Sequence, residues 1–278
     1  MRKSIFDIIE EQYDFNKEFK KISHLFNCNI VHSGGYGYPI EWLVNTVFHN
    51  WKARGSSINC ADMRRELDID KISKKQDLSF DEIALCLEYY LNIFLVFTTK
   101  CFPLPEGFSL NNDTFMLHQN MDILIEHMNL KKHVLTDEEK VLLLPNNPAA
   151  TAVAEISPKD IAFSILRYNH ASLKGQVEEK RKLLQSIANE YENLLDYSVN
   201  GFGEYFKTVR GLLNNLHIRH NNRDGKNQNK LIQNMSSKEL EKQYDELYQL
   251  LLFCVLIKDN TERKNVADEL LKKIKEQS

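Results

Sequence analysis

Apolar residues recur along this chain at intervals of three and four far more often than at alternate positions, the period of helices that pack through one face. Residues 4–26 carry this spacing among Glu and Lys and predict an amphipathic helix. The segment 27–38, NCNIVHSGGYGY, gathers Gly34, Gly35 and Gly37 and reads as a connection between helices, with short strands near 28–32 left open. Pro39 suits the first turn of a helix carrying Trp42, Leu43, Val47, Phe48 and Trp51, which should close near Arg54-Gly55. Ser79-Phe80-Asp81-Glu82 is a capping box that opens an apolar helix, and Pro103 and Pro105 end that region. Further helices are predicted over 112–129 and over 136–144, the second opened by Thr136 with Glu139 three residues on.

Residues 145–157, PNNPAATAVAEIS, hold two Pro and small residues without apolar periodicity and read as a linker. Ser157-Pro158 starts the next helix. A long charged helix follows from Lys174 to Leu195, with Val177, Leu184, Ile187 and Leu194 as its stripe and the run 178–182, EEKRK, as a solvated face. A helix over 203–220, a polar loop NNRDGKNQNK, and a final helix capped at Ser236-Ser237-Lys238-Glu239 complete the chain. Leu240, Tyr244, Leu247, Leu251 and Cys254 form the inner face of that last helix, and its tail from Thr261 is charged and expected to end in disorder. No internal repeat and no firm alternating strand pattern occur. The expectation is an all-α protein in two parts, a helical N-terminal region over 1–150 with a regulatory or sensing role and a helical bundle over 158–278.

Composition narrows this picture. Ten Gly and six Pro in 278 residues leave few places for tight turns, which suits long helices. The five cysteines are odd in number and contain no CxxC pair, so neither a disulfide framework nor a zinc knuckle is expected, and the compartment should be reducing. The N-terminus runs straight into charged helix without an apolar signal core, which points to the cytoplasm. The segment Ile83–Thr99, IALCLEYYLNIFLVFTT, reaches only the short end of a membrane span and carries Glu88 and Asn92, so it reads as a buried core helix and no membrane contact is expected.

The formal net charge is -3, so any anion-binding surface must be local. One exists. From Lys207 to Lys230 there are six Lys or Arg and a single acid, Asp224, a balance that attracts phosphates. The same stretch holds Arg210, Asn214 and His217. On a continuous helix a spacing of seven brings Arg210 and His217 within about 20° of one face, with Asn214 between them. These residue types fit RNA cleavage without a metal. His217 can take the proton of the 2′-hydroxyl or protonate the leaving oxygen, Arg210 can hold the phosphate and its transition-state charge, and Asn214 can orient the site. Arg219, His220, Asn221, Arg223 and Lys226 would hold the flanking RNA backbone. Such a mechanism needs no cofactor, leaves a 2′,3′-cyclic phosphate and spares DNA.

A long helix, a second helix ending in Arg-x(4–6)-His, a polar loop and a final apolar helix resemble the HEPN domain, with Arg210-GLLNNL-His217 as the motif. Gly211 stands where that family often has Asn or Asp after the Arg. The helical N-terminal half joined to such a domain resembles AbiJ-type abortive infection proteins of bacteria. The resemblance covers about 120 residues and implies a HEPN-like bundle, an endoribonuclease acting in phage defence by cutting cellular RNA, a homodimer with two motifs facing one cleft, and control by a phage-derived trigger or by an antitoxin or other partner protein. The alternative is a non-catalytic module of a defence system that binds RNA, a nucleotide or a partner.

Other motifs carry less. His217-x-x-His220 lacks a third metal ligand, and no ββα pattern supports an HNH nuclease. The loop His32–Tyr38 has no Lys-Ser/Thr and is not a P-loop. Cys60 has no assignable partner His and reads as a buried thiol. The charges of Asp62-Met-Arg64-Arg65-Glu66 read as an exposed helix face. Asn169-His170-Ala-Ser-Leu-Lys174-Gly stands out without an assignable role.

Overall fold

The structure, a computed structural model, describes residues 13–28, 30–193, 201–219 and 230–276. It is mostly helical and divides into two compact units between Asn146 and Asn147. The expected linker is therefore not one. Pro148–Glu155 is helix α7 of the second unit, with Asn147 accepting from the Ala150 N–H at 3.1 Å and Pro148 at the first position. An Asn cap, a first-turn Pro and a run of Ala are strong helix signals, and they outweigh the absence of an apolar stripe.

In the first unit α1 (Phe15–Asn27) is capped by Asp14 and buries Phe19, Ile22 and Phe26. Strands β1 (Val31–Ser33) and β2 (Tyr36–Tyr38) form a hairpin across Gly34-Gly35. Both glycines have positive φ, 56° and 82°, as a two-residue type I′ turn requires. The segment expected as a plain connection is thus a hairpin, and β3 (Phe108–Leu110) adds to its β1 edge with Val31 opposite Leu110. The predicted Pro39 helix is shorter than expected: α2 (Ile40–Val47) gives way to two 3-10 turns, and the chain reverses at Gly55 with φ 60°. Helices α3 (Cys60–Glu66) and α4 (Ile69–Ile72) lead to α5 (Phe80–Lys100), which has the predicted capping box at Ser79 and Glu82. Helix α6 (Asn112–His127) matches its predicted position.

The predicted helix over 136–144 is wrong. Strands β4 (Leu130–Leu135) and β5 (Lys140–Pro145) form an antiparallel hairpin with Leu130 opposite Pro145. The expected capping residue Glu139 sits instead at the hairpin tip with φ 53°. Its carboxylate accepts from Lys100 Nζ at 2.9 Å and from the Lys52 N–H at 3.2 Å, while its carbonyl accepts from Trp51 Nε1 at 2.7 Å. The physical cause of the strand lies on α5. Asn92 spans the backbone of Val141, accepting from its N–H and donating to its carbonyl, each at 2.8 Å. Glu88, one turn earlier, accepts from the Leu143 N–H at 2.6 Å. The charged and amide side chains in the middle of this apolar helix, Glu88 and Asn92, are thus the partners that let β5 lie against it with its backbone satisfied. No helix among the described residues is long and apolar enough to cross a membrane.

The second unit packs α7, α8 (Lys159–Arg167), α9 (Val177–Glu190), α10 (Gly203–Asn215), α11 (Lys230–Gln233) and the 40-residue α12 (Ser237–Glu276) around one apolar core. Leu184 and Ile187 of α9, Phe206, Val209 and Leu213 of α10, and Tyr244, Leu247 and Leu251 of α12 are its centre. The predicted cap of the last helix is present, Ser236 and Glu239 bonding reciprocally at 2.9 and 3.3 Å. That helix continues unbroken through the charged tail to Glu276.

Candidate active site

Helix α10 turns Phe206, Val209 and Leu213 into the core, so Lys207 and Arg210 fall on its outer side. Lys207 pairs with Glu204 at 2.7 Å in the open. The helix ends at Asn215, two residues short of His217 and five short of the predicted end. His217 is in the left-handed region with φ 59° and is only 4% exposed. Arg210 and His217 therefore do not share a helix face as expected, because the chain leaves the helical path before His217. Along this stretch exposure falls from Arg210, which is exposed, through half-buried Asn214 to buried His217.

The turn is held by bonds to carbonyls that the helix end leaves open. The Leu216 N–H donates to Leu212 O at 2.8 Å and the Arg219 N–H to Leu213 O at 3.2 Å. Tyr244 Oη donates to Leu216 O at 3.2 Å, and Arg181 Nη1 to His217 O at 3.4 Å. Helix ends of this shape usually carry Gly at the left-handed position, and a side chain there costs about 1 kcal/mol or more. Histidine is among the residues that tolerate it best.

Arg219 is mostly buried, and its Nη2 lies 3.4 Å from Glu192. His220, Asn221, Arg223 and Lys226 lie outside the described residues. Among the described residues no group of His, Cys, Asp and Glu is arranged to hold a metal.

A second polar constellation was not read from the sequence. Lys180 is 8% exposed, and its Nζ lies 2.8 Å from Asp245 and 2.9 Å from Glu241 of α12. Tyr168 Oη donates to Asp245 at 3.1 Å, its ring stacks on Tyr248 at 4.1 Å, and Lys180 Nζ lies 5.4 Å above that ring. The Gly175 N–H donates to Glu241 at 2.9 Å, which gives the stretch Asn169–Gly175 its role as the strap that closes this cage. Burial raises the Glu241 carboxyl, but the bonds from Lys180 and Gly175 outweigh it and the pKa is lowered below 4.5. The Tyr168 phenol is raised well above its usual range by burial and then by Asp245. The signal was present: Lys180 falls between Val177 and Leu184 on the apolar stripe, so its position is a core position.

In the first unit Glu41, 9% exposed, accepts from Tyr89 Oη at 2.6 Å and pairs with Arg64, which also lies 3.0 Å from Asp70. Asp62 binds Arg65 and Glu66 accepts from Ser57 Oγ, so charges expected on a solvated face are largely tied within the unit. Burial and then Glu41 push the Cys60 thiol up to about 12, so it is not a nucleophile near neutral pH. Comparison with family models, with curated proteins and with solved structures finds no match for the chain.

Proposed function

We propose that the second unit is a metal-independent endoribonuclease of HEPN type. Its site is the C-terminal turn of α10 together with the basic stretch Lys207–Lys230, and its role is phage defence by cutting cellular RNA. The observation that supports this reading is the setting of His217. A histidine holds a strained left-handed conformation where α10 gives way to the most basic part of the chain, with an exposed arginine two turns earlier. Strain retained at a residue able to transfer protons at neutral pH is more often met at functional sites than elsewhere. Arg210 would neutralise the phosphate and His217 would move the proton of the 2′-hydroxyl or of the leaving oxygen, with Asn214 orienting them. In this reading the protein works in the cytoplasm as a homodimer under the control of a phage-derived trigger or a partner protein.

One observation favours the second reading, a module that binds RNA without cutting it. His217 is 4% exposed, and a general acid or base has to reach the reacting oxygen. Total RNA and tRNA incubated with the full chain in EDTA separate the two. The nuclease reading expects fragments ending in 2′,3′-cyclic phosphate from wild type and none from Arg210→Ala or His217→Ala. Retarded but intact RNA with wild type, weakened by Arg210→Ala, is the result of the binding module.

A further inference from the structure

Helix α12 outlasts the bundle it belongs to. Tyr244, Leu247, Leu251 and Cys254 face the apolar core of the second unit, and the buried residues of the helix stop at Ile257. All 15 residues of the stretch 262–276 are exposed, a rod of about 22 Å. A helix of that length surrounded by water is marginal by propensity alone. It also carries four large apolar side chains, Val266, Leu270, Leu271 and Ile274, each at least 52% exposed.

Their spacing is that of a two-stranded seam. Asn260, Arg263, Ala267, Leu270 and Ile274 follow one another at alternating steps of three and four, the a and d positions of a heptad. At about 100° per residue these positions lie roughly 160° round the helix from the core face, so the seam points away from the bundle. The flanking positions complement one another when two copies run parallel in register. Position g of one helix then meets position e of the next heptad on the other. Asp259 faces Lys264 of the second copy, opposite in charge, and Val266 faces Leu271, both apolar. Asn260 at position a meets its own copy, the arrangement that fixes register and number of strands in such seams. Arg263 turns its guanidinium back to Asp259 at 2.6 Å.

We propose that the exposed end of α12 is a self-association surface that joins two copies of this chain through a short parallel coiled coil over residues 260–274. An anionic lipid surface suits the helix less well, because five bases within 262–276 are offset by four acids. The nuclease reading calls for a homodimer without naming a surface. This one rests on α12 alone and is measured without RNA.

The test is sedimentation of the full chain from about 1 to about 200 µM, where a seam this short should carry it from monomer to dimer. Leu270→Ser with Ile274→Ser, both at exposed positions, should weaken the dimer at least about 100-fold and leave the melting temperature of the bundle unchanged. Lys264→Glu should weaken it about tenfold by facing Asp259 with a like charge, and adding Asp259→Lys should restore it. Ala267→Cys and Ile274→Cys fix the direction of the strands. Under oxidised glutathione each should cross-link to its own copy in the parallel seam, with wild type as the control. The proposal is overturned if wild type stays monomeric throughout, if the double serine variant dimerises as wild type does, or if only a mixture of the two cysteine variants cross-links, which is the antiparallel result. A monomer that binds vesicles of anionic lipid through Leu270 and Ile274 gives this face to a membrane surface and overturns it as well.

Discussion

Helix α5 in the first unit and helix α10 in the second both place polar residues among apolar ones, and they do so to different ends. On α5 the carboxylate of Glu88 and the carboxamide of Asn92 meet the backbone of β5 bond for bond. On α10 Arg210 faces outward, and the chain then bends through a left-handed His217 toward a basic segment. The first arrangement is complete as it stands and explains why a strand lies against a helix. The second sets an outward arginine and a left-handed histidine where the helix gives way to that basic segment. Polar residues at the α5 seam should therefore govern stability, and those at the α10 end should govern activity.

Five experiments break or sharpen that contrast. His217→Ala should have the largest effect, lowering RNA cleavage by about 1,000-fold in a gel assay, the scale of a lost general acid or base. Arg210→Ala should lower it by about 100-fold, with a melting temperature close to wild type because the residue is exposed. A large stability loss in this variant would erase the contrast. Lys180→Ala belongs with the stabilising class although it lies in the second unit. It should cost about 2 kcal/mol in urea unfolding, since half-buried Glu241 loses its cation. Asn92→Ala should cost about 2 kcal/mol, because the Val141 N–H and carbonyl lose their partner, and should leave cleavage untouched.

The smallest effect is a pH dependence. The Glu241 pKa is lowered in the folded chain, so its contribution is present above the ordinary carboxylate value of 4.5 and is lost as pH falls through the folded pKa. Melting temperature followed from about pH 6 to about pH 3 should fall less steeply in Lys180→Ala than in wild type.

How far these features were legible in the sequence depends on whether their causes are local. The box at Ser79 and Glu82, the cap at Ser236 and Glu239, and α6 were readable because capping and 3.6-residue periodicity are written within a few residues. The β5 strand was not, because its partners Glu88 and Asn92 lie some fifty residues earlier on another element. The β1–β2 hairpin was readable in principle, since Gly34-Gly35 between Ser33 and Tyr36 is a two-residue turn signal, but the run that follows is too short to show alternation. Arg210, Asn214 and His217 were found by residue type and spacing. Their different exposures were not, because the helix stops at Asn215 through carbonyl bonds from Tyr244 and Arg181, which come from other helices. Lys180 stands inside the charged run 178–182, and only its register with Val177 and Leu184 marks it as a core position.

The most direct test of the nuclease reading compares two substrates of one sequence, an all-ribose oligonucleotide and a copy with 2′-deoxyribose throughout, incubated with the full chain in EDTA. The account predicts cleavage of the first, with 2′,3′-cyclic phosphate and 5′-hydroxyl ends, and none of the second. Cleavage of both, or cleavage of the first that leaves 3′-hydroxyl ends, would contradict it.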